Sequence, residues 1–380
     1  MDKKISILGS TGSIGVQALE VAKLRGFDVI ALTAHKNTAL LEAQIRAFKP
    51  VMAAMTDERA AAALKISVRD TPTKVFGGIE GVRACAGLQV DTVLNSIVGM
   101  AGLTPTIAAI ESGNTVALAN KETLVAAGSL VMKAAAEKGV AILPVDSEHS
   151  AIFQVLQGCP DRSMVKRLIL TASGGPFFGK RADELQGVTA EQALHHPNWS
   201  MGAKITVDSA TMMNKGLELI EAVWIFGVKP EMVDIVVHRQ SVVHSLVEYI
   251  DNSVVAQLGV PDMRIPIQYA LTFPQRFESP VKQLDLQAFG TLTFEEPDYE
   301  TFRCINLCRT AITLGGLFPA AANSANEAAN LLFREGKIKF LQIAELVEKT
   351  MRAAPSKAVY TLEDVLETDR FARAFVLNNC

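Results

Sequence analysis

The sequence predicts an α/β protein that begins with a parallel sheet and ends in helices. Two observations predict this. Short apolar runs alternate with helical stretches through about residue 145, and strands that are apolar along their whole length are typical of parallel sheets covered on both faces. No convincing strand follows residue 300. With 380 residues, the chain is long enough for two or three domains, each with its own core.

Six apolar runs define the strands of the first domain, and a candidate helix separates each from the next. They are Ile5–Leu8, Asp28–Ala34, Val51–Met55, Thr92–Ile97, Thr115–Leu118 and Ala141–Val145. Because neighbouring parallel strands are joined by crossover connections, usually helices, this order predicts a doubly wound parallel sheet. We expect this domain to comprise residues 1–147.

The pattern changes after His149. Four further strands are expected, and Asp251 and Asn252 between the last two are typical of a tight turn joining antiparallel strands. The strands are Val165–Ala172, Val233–His238, Val242–Tyr249 and Ser253–Leu258. We therefore expect an α+β domain over 148–272, a linker rich in proline and charge over 273–299, and a C-terminal helical bundle over 300–380.

Composition excludes several classes of function. The 37 basic and 40 acidic residues give a formal net charge of -3, and no block of lysine and arginine occurs, so we expect no nucleic acid partner. The first apolar run is too short for a signal peptide, so we expect a cytoplasmic protein. Two uncharged stretches, 92–110 and 310–326, contain polar residues and predict buried core, not membrane spans. The five cysteines include no CxxC pair that would indicate a zinc or dithiol site.

The first strand is followed by a glycine-rich turn, Gly9-Ser-Thr-Gly-Ser-Ile-Gly15, and then by a helix to about Leu24. Glycines let the backbone turn tightly and approach a pyrophosphate, whose charge the helix N-terminus stabilises. The order of strand, turn and helix favours a dinucleotide-binding, Rossmann-like domain. A glycine turn in an unrelated α/β fold is the alternative.

The segment after the second strand predicts which dinucleotide binds. NAD sites place an acid about 20 residues beyond the glycines, where it holds a ribose hydroxyl. Here the segment reads Thr33-Ala-His-Lys-Asn37, which has no carboxylate and has a lysine that would attract a 2′-phosphate. NADP is therefore favoured over NAD, with Lys36 as a solvated turn residue as the alternative.

Two carboxylates follow the sixth strand, at the edge of a parallel sheet where α/β proteins bind ligands. Asp146 and Glu148 occupy alternate positions, so in an extended chain their side chains would share a face. Oxygen ligands of this kind suit Mg²⁺ or Mn²⁺. An acidic turn is also a common helix cap, and this is the alternative.

A third carboxylate, Glu218, is expected on a helix that Asp208 or Ser209 could cap. Asn214 and Lys215 lie four and three residues before it and therefore share its face of the helix. This face offers both a metal ligand and a phosphate contact. The alternative is an exposed pair of Lys215 and Glu218 that contributes little.

Two more segments fit an anion site. Ser173-Gly-Gly175 ends a strand in a turn with N–H groups and a hydroxyl that could hold phosphate oxygens. The segment His195–Gly202 combines histidine and tryptophan with proline and glycine, which is typical of a lid. For either histidine alone, a structural role is the alternative.

Together, these motifs resemble the 1-deoxy-D-xylulose 5-phosphate reductoisomerase family over essentially the whole chain. The matching segments are Gly9–Gly15, Asn120–Glu122, Pro144–His149, Ser173–Pro176, His196–Gly202 and Val207–Glu218. The resemblance implies an enzyme that uses NADPH and a divalent metal (Mn²⁺, Mg²⁺ or Co²⁺). It would rearrange and reduce the sugar phosphate 1-deoxy-D-xylulose 5-phosphate to 2-C-methyl-D-erythritol 4-phosphate in non-mevalonate isoprenoid biosynthesis. The resemblance also implies a homodimer.

The resemblance further implies roles for individual residues. The metal ligands would be Asp146, Glu148 and Glu218, which with Lys121 would form the catalytic set. The substrate-binding residues would be Lys121, Ser147, Glu148, Ser173, His196, Trp199, Ser209, Asn214, Lys215 and Glu218, with Trp199 closing from the lid. The cofactor-binding residues would be Thr11, Gly12, Ser13, Ile14, His35, Lys36, Asn37, Asn120, Glu122 and Gly202. His35 stands where the family commonly has glycine, and its imidazole could stack on the cofactor or donate to it.

Two other functions stay open on the residues alone. A semialdehyde-type dehydrogenase would combine a similar glycine turn with a cysteine nucleophile, for which Cys159 is the candidate, although no partner histidine accompanies it. A non-catalytic NADP-sensing protein would need no set of three carboxylates. Those carboxylates favour the metal-dependent enzyme over both.

Overall fold

The computed structural model describes residues 3–199 and 201–380, which form two compact units. The first contains the residues up to Thr123, Val131–Ser150 and Asp262–Val281. The second contains Leu124–Leu130, Ala151–Pro261 and Lys282–Cys380, and so includes both the α+β region and the C-terminal helices. The four-part division expected from the sequence does not coincide with these units and stays a prediction.

Seven parallel strands form the sheet of the first unit, in the order β4-β3-β2-β1-β5-β6-β7. They are β1 Lys4–Leu8, β2 Asp28–Ala34, β3 Met52–Met55, β4 Lys74–Gly77, β5 Thr92–Asn95, β6 Thr115–Leu118 and β7 Ile142–Pro144. The strand order reverses between β1 and β5, which confirms the predicted doubly wound sheet. The sequence analysis missed β4 because this short edge strand is largely exposed and has no continuous apolar run.

Four strands form the sheet of the second unit, in the order β11-β10-β8-β9. They are β8 Val165–Ala172, β9 Val233–Val237, β10 Val243–Tyr249 and β11 Val254–Leu258. The predicted antiparallel pairing of β10 with β11 is confirmed, and Asn252 in the turn has a positive φ of 66°. Strand β8 pairs antiparallel with β10 but parallel with β9, so the sheet is mixed.

Fifteen α-helices accompany the strands in the described ranges. They are α1 Ser13–Arg25, α2 Thr38–Phe48, α3 Glu58–Ser67, α4 Gly78–Ala86, α5 Leu103–Glu111, α6 Lys121–Lys138, α7 Ser147–Val155, α8 Ala190–Ala193, α9 Ala203–Ala210, α10 Met213–Phe226, α11 Arg264–Thr272, α12 Cys304–Leu314, α13 Phe318–Arg334, α14 Gln342–Ala353 and α15 Leu362–Asn378. Local signals define several ends. Gly26 ends α1 in the left-handed conformation, and Thr361 with Asp364 forms a capping box at the start of α15.

The core of the second unit is built from its sheet and from the helices α10 and α12–α14. Cys304 and Cys308, four residues apart on α12, are both buried on the same face of this helix. From residue 273 to 299 the only regular pairing is an isolated bridge between Glu295 and Val237, which fits the predicted linker. Among the described residues, no helix combines the length and the apolar character that crossing a membrane requires.

Candidate active site

The glycine turn between β1 and α1 depends on close backbone packing. A Cβ atom at Gly15 would lie 2.3 Å from the Gly9 carbonyl oxygen and 2.5 Å from the Ser10 Cα atom, so only glycine lets α1 begin there. Gly12 and Ser13 are exposed at the N-terminus of α1, and no side chain caps this end of the helix. The Gly12 N–H donates to the Gly9 carbonyl oxygen at 3.0 Å, so the N–H groups at the start of the helix are the ones that could bind a phosphate group.

The end of β2 contains a feature that the sequence analysis missed. Lys36 is largely exposed, and its Nζ atom lies 3.9 Å from Asp57 Oδ2. The lysine that is predicted to attract the 2′-phosphate of NADP therefore has a carboxylate nearby, although its own segment contains none. Asp57 follows the neighbouring strand β3 and caps α3, and its backbone hydrogen bond with Ala60 and then the charge of Lys36 lower its pKa. His35 is held by a hydrogen bond of 2.6 Å between its Nδ1 atom and Thr56 Oγ1.

Two of the predicted cofactor residues are packed together at the start of α6. Asn120 accepts a hydrogen bond of 3.0 Å from the Thr123 N–H and so caps the helix. Its amide nitrogen donates to the carbonyl oxygens of Ile97 and Gly99 and to Glu122 Oε2, at 2.6, 2.9 and 2.8 Å. Asn120 and Glu122 are both buried, so their positions are fixed by the end of β6 and the loop after β5.

The segment with the first two carboxylates is helical, so the prediction that Asp146 and Glu148 share a face of an extended chain was wrong. Helix α7 begins at Ser147, and Asp146 Oδ1 accepts hydrogen bonds from the N–H groups of Glu148 and His149, at 2.9 and 3.1 Å. The chain turns there because this cap satisfies N–H groups that α7 leaves unpaired. The Oδ2 atom of Asp146 forms a buried ion pair with Lys121. One residue therefore serves as a cap and as a candidate ligand.

The helix with the third carboxylate also begins differently from the prediction. Asp208 and Ser209 lie within α9 and do not cap α10, which follows Met212 in a left-handed conformation with φ of 59°. The predicted shared face is confirmed. Asn214 donates a hydrogen bond of 2.6 Å to Glu218 Oε1, and Lys215 pairs with Glu218 Oε2.

This pair is not the exposed ion pair of the alternative interpretation. Lys215 is 4% and Glu218 1% exposed. Ions buried to this degree lose their hydration, and such pairs persist where hydrogen bonds compensate for that loss. A buried, hydrogen-bonded pair of this kind is more typical of a functional site than of a solvated helix face.

Asp146 and Glu148 belong to the first unit, and Glu218 belongs to the second. Each of them offers carboxylate oxygen atoms that could serve as metal ligands. This donor set, made of oxygen atoms alone, fits a divalent cation such as Mg²⁺ or Mn²⁺.

The predicted anion site of the second unit brings Ser173, His196 and Ser209 together. Gly174 and Gly175 both have positive φ values, of 77° and 67°, which turn the chain sharply after β8. Ser173 Oγ lies 2.9 Å from His196 Nε2. A Cβ atom at Gly175 would lie 2.6 Å from the Ser209 carbonyl oxygen, so the turn packs directly on the end of α9.

The electrostatics of this site favour a neutral histidine. Burial, and next to it the positive charge of Arg239, lower the pKa of His196 to about 4. The Nδ1 atom of His196 accepts hydrogen bonds from the N–H groups of Asn198 and Trp199, at 3.2 and 3.0 Å. The Trp199 ring lies 6.4 Å from the ring of His244. Ser200, within the predicted lid, lies outside the described residues, and Gly202 precedes α9 as its N-cap.

Two elements of this region were missed by the sequence analysis. Arg239 donates hydrogen bonds of 2.7 and 2.8 Å to the carbonyl oxygens of Ser173 and Gly175, and no local motif indicates this. Asp208 accepts hydrogen bonds from Asn326 and Asn330 of α13, at 2.9 and 2.8 Å. Those two asparagines are four residues apart and buried on the same helix face, and this spacing could have indicated a buried polar contact.

The doubly wound sheet and its glycine turn define the class of dinucleotide-binding α/β proteins. Three family models match the chain. The model of 1-deoxy-D-xylulose 5-phosphate reductoisomerase matches residues 5–128, and models of two C-terminal domains of that enzyme match residues 142–226 and 258–375. The chain belongs to the 1-deoxy-D-xylulose 5-phosphate reductoisomerase family.

Relatives of this family match the chain over nearly its full length. The reductoisomerase of Agathobacter rectalis is 51% identical over 376 residues, which cover 98% of this chain and 99% of that protein. The reductoisomerase of Chlorobium chlorochromatii is 52% identical over 374 residues, which cover 98% of each chain.

Solved structures of the family are also similar. The Zymomonas mobilis enzyme in complex with NADPH is 43% identical, with a TM-score of 0.93 and coverage of 100% of this chain and 99% of that chain. A reductoisomerase in complex with NADPH, fosmidomycin and magnesium is 41% identical, with a TM-score of 0.93 and coverage of 99% and 98%.

Proposed function

We propose that this protein is a 1-deoxy-D-xylulose 5-phosphate reductoisomerase that uses NADPH and a divalent metal ion. It would rearrange the carbon skeleton of its substrate and reduce the product to 2-C-methyl-D-erythritol 4-phosphate in isoprenoid biosynthesis. The observation that carries the proposal is that the candidate metal ligands Asp146 and Glu218 are each buried and paired with a lysine, in a chain that belongs to this family. NADPH and magnesium occur with similar enzymes of known structure.

The metal ion would be held by Asp146, Glu148 and Glu218. When bound, it supplies a Lewis acid for the oxygen atoms of the substrate. The protein prepares this site with two lysines, since Lys121 pairs with Asp146 and Lys215 pairs with Glu218. Both carboxylates are therefore oriented, and the Lys121 ammonium group can donate hydrogen bonds to a substrate oxygen on which negative charge develops. Ser147, which donates to Glu148 Oε2 at 2.5 Å, would contact the substrate beside them.

NADPH would bind at the turn after β1 and at the end of β2. The segment Thr11–Ile14 at the start of α1 would hold the diphosphate, and NADPH would supply the hydride. The loop His35–Asn37 would contact the adenosine phosphate, with Lys36 as its cation. Asn120, Glu122 and Gly202 would contact the rest of the cofactor, with the first two fixed in place by their hydrogen bonds.

The substrate's phosphate would bind in the second unit to Ser173, His196, Ser209, Asn214 and Lys215. His196 is neutral near pH 7, and the N–H donors at its Nδ1 atom leave the ring proton on Nε2. Nε2–H therefore donates to Ser173 Oγ, and the serine O–H can donate to a phosphate oxygen. Trp199 would cover the bound substrate and exclude water.

Two observations count against the alternative functions. The Cys159 thiol donates to the carbonyl oxygen of Asp161 at 3.1 Å, and no histidine is among the contacts that the described residues give it. A sensing protein would have no use for three carboxylates that can serve as metal ligands.

We also propose that the protein is a homodimer that pairs through the second unit. Strand β11 is an outer strand of its sheet, and Val254, Val255 and Leu258 on it are 49%, 44% and 38% exposed. An apolar edge strand of this kind favours pairing with a second copy. Molar mass from light scattering tests this, and a monomer at micromolar concentration would contradict it. The cytoplasmic location expected from the sequence stays a prediction.

The decisive experiment is an assay of NADPH oxidation with 1-deoxy-D-xylulose 5-phosphate. We expect turnover only with Mg²⁺ or Mn²⁺, and a much lower kcat/KM with NADH because Lys36 would lose its phosphate partner. Formation of 2-C-methyl-D-erythritol 4-phosphate is checked by mass spectrometry. Absence of turnover with both metals and both cofactors would contradict the proposed function.

A further inference from the structure

Arg239 has a position that the proposed reaction does not explain by itself. It follows β9, which pairs in parallel with β8 so that Ala172 lies opposite Val237. The side chain of Arg239 therefore reaches the turn that follows β8. One nitrogen of its guanidinium group, Nη1, donates to the carbonyl oxygens of Ser173 and Gly175, at 2.7 and 2.8 Å. The residue thus closes the turn made by two consecutive glycines of positive φ.

The main chain of Arg239 holds the neighbouring segment as well. Its carbonyl oxygen accepts a hydrogen bond of 2.5 Å from the side-chain amide of Asn198, which also donates to Ser241 Oγ at 3.0 Å. Asn198 and Trp199 in turn donate their backbone N–H groups to His196. Arg239 is therefore connected both to the Ser173 turn and to the segment that contains His196 and Trp199.

The charge of Arg239 has no acidic partner close by. Its guanidinium group lies over the ring of Phe178, 4.9 Å from the centroid, and it takes part in none of the ion pairs that the described residues show. Burial lowers its pKa, and Glu295 raises it from a greater distance. A partly buried cation that is satisfied only by carbonyl oxygens and an aromatic face leaves a positive potential beside Ser173 and His196.

We propose that Arg239 is a positioning residue for phosphate binding. It holds the Ser173 turn and the His196–Trp199 segment in the arrangement that receives the substrate's phosphate, before the substrate arrives. The identity of the substrate rests on the proposed function, but the effect of Arg239 on phosphate binding can be measured without turnover. Such ordering lowers the conformational entropy that is lost when the phosphate binds, so its removal should raise the phosphate Kd and the substrate KM. Substrate that does bind should still react, so kcat should change little.

The chain offers a matched control. Arg309 also donates to two backbone carbonyl oxygens of one loop, those of Pro230 and Val233, at 2.7 and 2.8 Å. It belongs to the same unit, and no role in the reaction is assigned to it. Arg239→Met removes hydrogen bonds to two backbone carbonyl oxygens at the candidate phosphate site. Arg309→Met removes the same type of contact elsewhere in the unit.

The test measures binding of inorganic phosphate by titration calorimetry, together with KM and kcat for 1-deoxy-D-xylulose 5-phosphate. In Arg239→Met, the phosphate Kd and the substrate KM should rise about tenfold, while kcat changes less than about threefold. Arg309→Met should leave all three values unchanged. Arg239→Lys keeps the charge but loses the planar group that lies over Phe178, so it should show an intermediate rise of about threefold.

An unchanged phosphate Kd in Arg239→Met, or an equal rise in Arg309→Met, would overturn the proposal. If Arg239→Met does not fold, an unchanged Kd in Arg239→Lys overturns it instead. Failure of the proposed function gives a different result, because the wild-type protein would then bind phosphate with an affinity that depends on Arg239, but it would not turn over the sugar phosphate.

Discussion

The two units hold their candidate ligands in different ways. In the first unit, the glycine turn presents backbone N–H groups at the start of a helix, and all its residues lie within seven consecutive positions. In the second unit, the candidate phosphate ligands are side chains from separate segments, ordered by hydrogen bonds and by the partly buried Arg239. The first arrangement depends on the absence of side chains, whereas the second depends on their orientation.

This difference has a consequence for mutation. A site made of backbone N–H groups fails when an added side chain disturbs the packing, and stability then falls together with binding. A site made of side chains can lose one ligand while the fold persists, so its catalytic constants change more than its stability. Asp146 is an exception, because it caps a helix and is also a candidate metal ligand. Its replacement should therefore lower both stability and metal binding.

The largest effect is expected for the carboxylates. Glu218→Gln keeps the shape but removes the charge, so Mn²⁺ affinity and activity should fall together, by at least about 100-fold. Calorimetric Mn²⁺ titration and the NADPH assay measure the two quantities. The control is Glu248→Gln, because Glu248 is also buried but pairs with Lys166 and Arg167. If metal affinity stays the same in Glu218→Gln, the third ligand is a different residue.

The next largest effect is expected for Lys215. A charge-assisted contact with a buried phosphate contributes about 1.5–3 kcal/mol, so Lys215→Ala should lower kcat/KM about 10- to 100-fold for the phosphorylated substrate. The much slower reaction of the dephosphorylated sugar should barely change. Lys166→Ala, which removes a lysine paired with Glu248, serves as control. Equal losses with both substrates would assign Lys215 to the reacting carbons or to folding.

A smaller effect, on stability, is expected in the first unit. Gly15→Ala places a Cβ atom against the backbone of Gly9 and Ser10, and such overpacking costs about 1–3 kcal/mol. NADPH affinity should fall as well, because the turn that holds the diphosphate must move. Urea unfolding and fluorescence titration measure the two effects. Gly158→Ala is the control, since no atom lies within 4 Å of a Cβ there. Unchanged stability in Gly15→Ala would show that the turn is more adaptable than its packing indicates.

The smallest effect concerns acid stability in the second unit. The folded protein lowers the pKa of His196 to about 4, so below the ordinary histidine value of about 6.5 the unfolded chain binds more protons than the folded one. The stabilisation from a neutral His196 is therefore complete above about pH 6.5 and is lost as the pH falls towards 4. His196→Gln should show a shallower loss of unfolding free energy over this range, measured by urea titration. His195→Gln, at an exposed histidine, is the control variant. If the unfolding free energy of His196→Gln depends on pH as steeply as that of the wild type, the prediction is wrong.

Prediction from the sequence succeeded where the signal is local. Ten of the strands, the glycine turn and the shared face of Asn214 and Glu218 follow from apolar periodicity and residue spacing. It failed at Asp146, where two backbone N–H groups recruit the carboxylate as a cap and turn the chain into a helix. It failed again at α10, whose start is a left-handed Met212 that no sequence rule predicts.

The sequence by itself determined the order of strands and helices, the phosphate-binding turn and the types of side chain available for a metal ion and a phosphate. These properties depend on neighbours along the chain, within a few residues of one another. The tertiary structure alone decided that Asp57 approaches Lys36, that Asn326 and Asn330 hold Asp208, and that Arg239 closes the Ser173 turn. Those contacts join residues far apart in sequence, and they form only when packing brings buried polar groups together and obliges them to find partners.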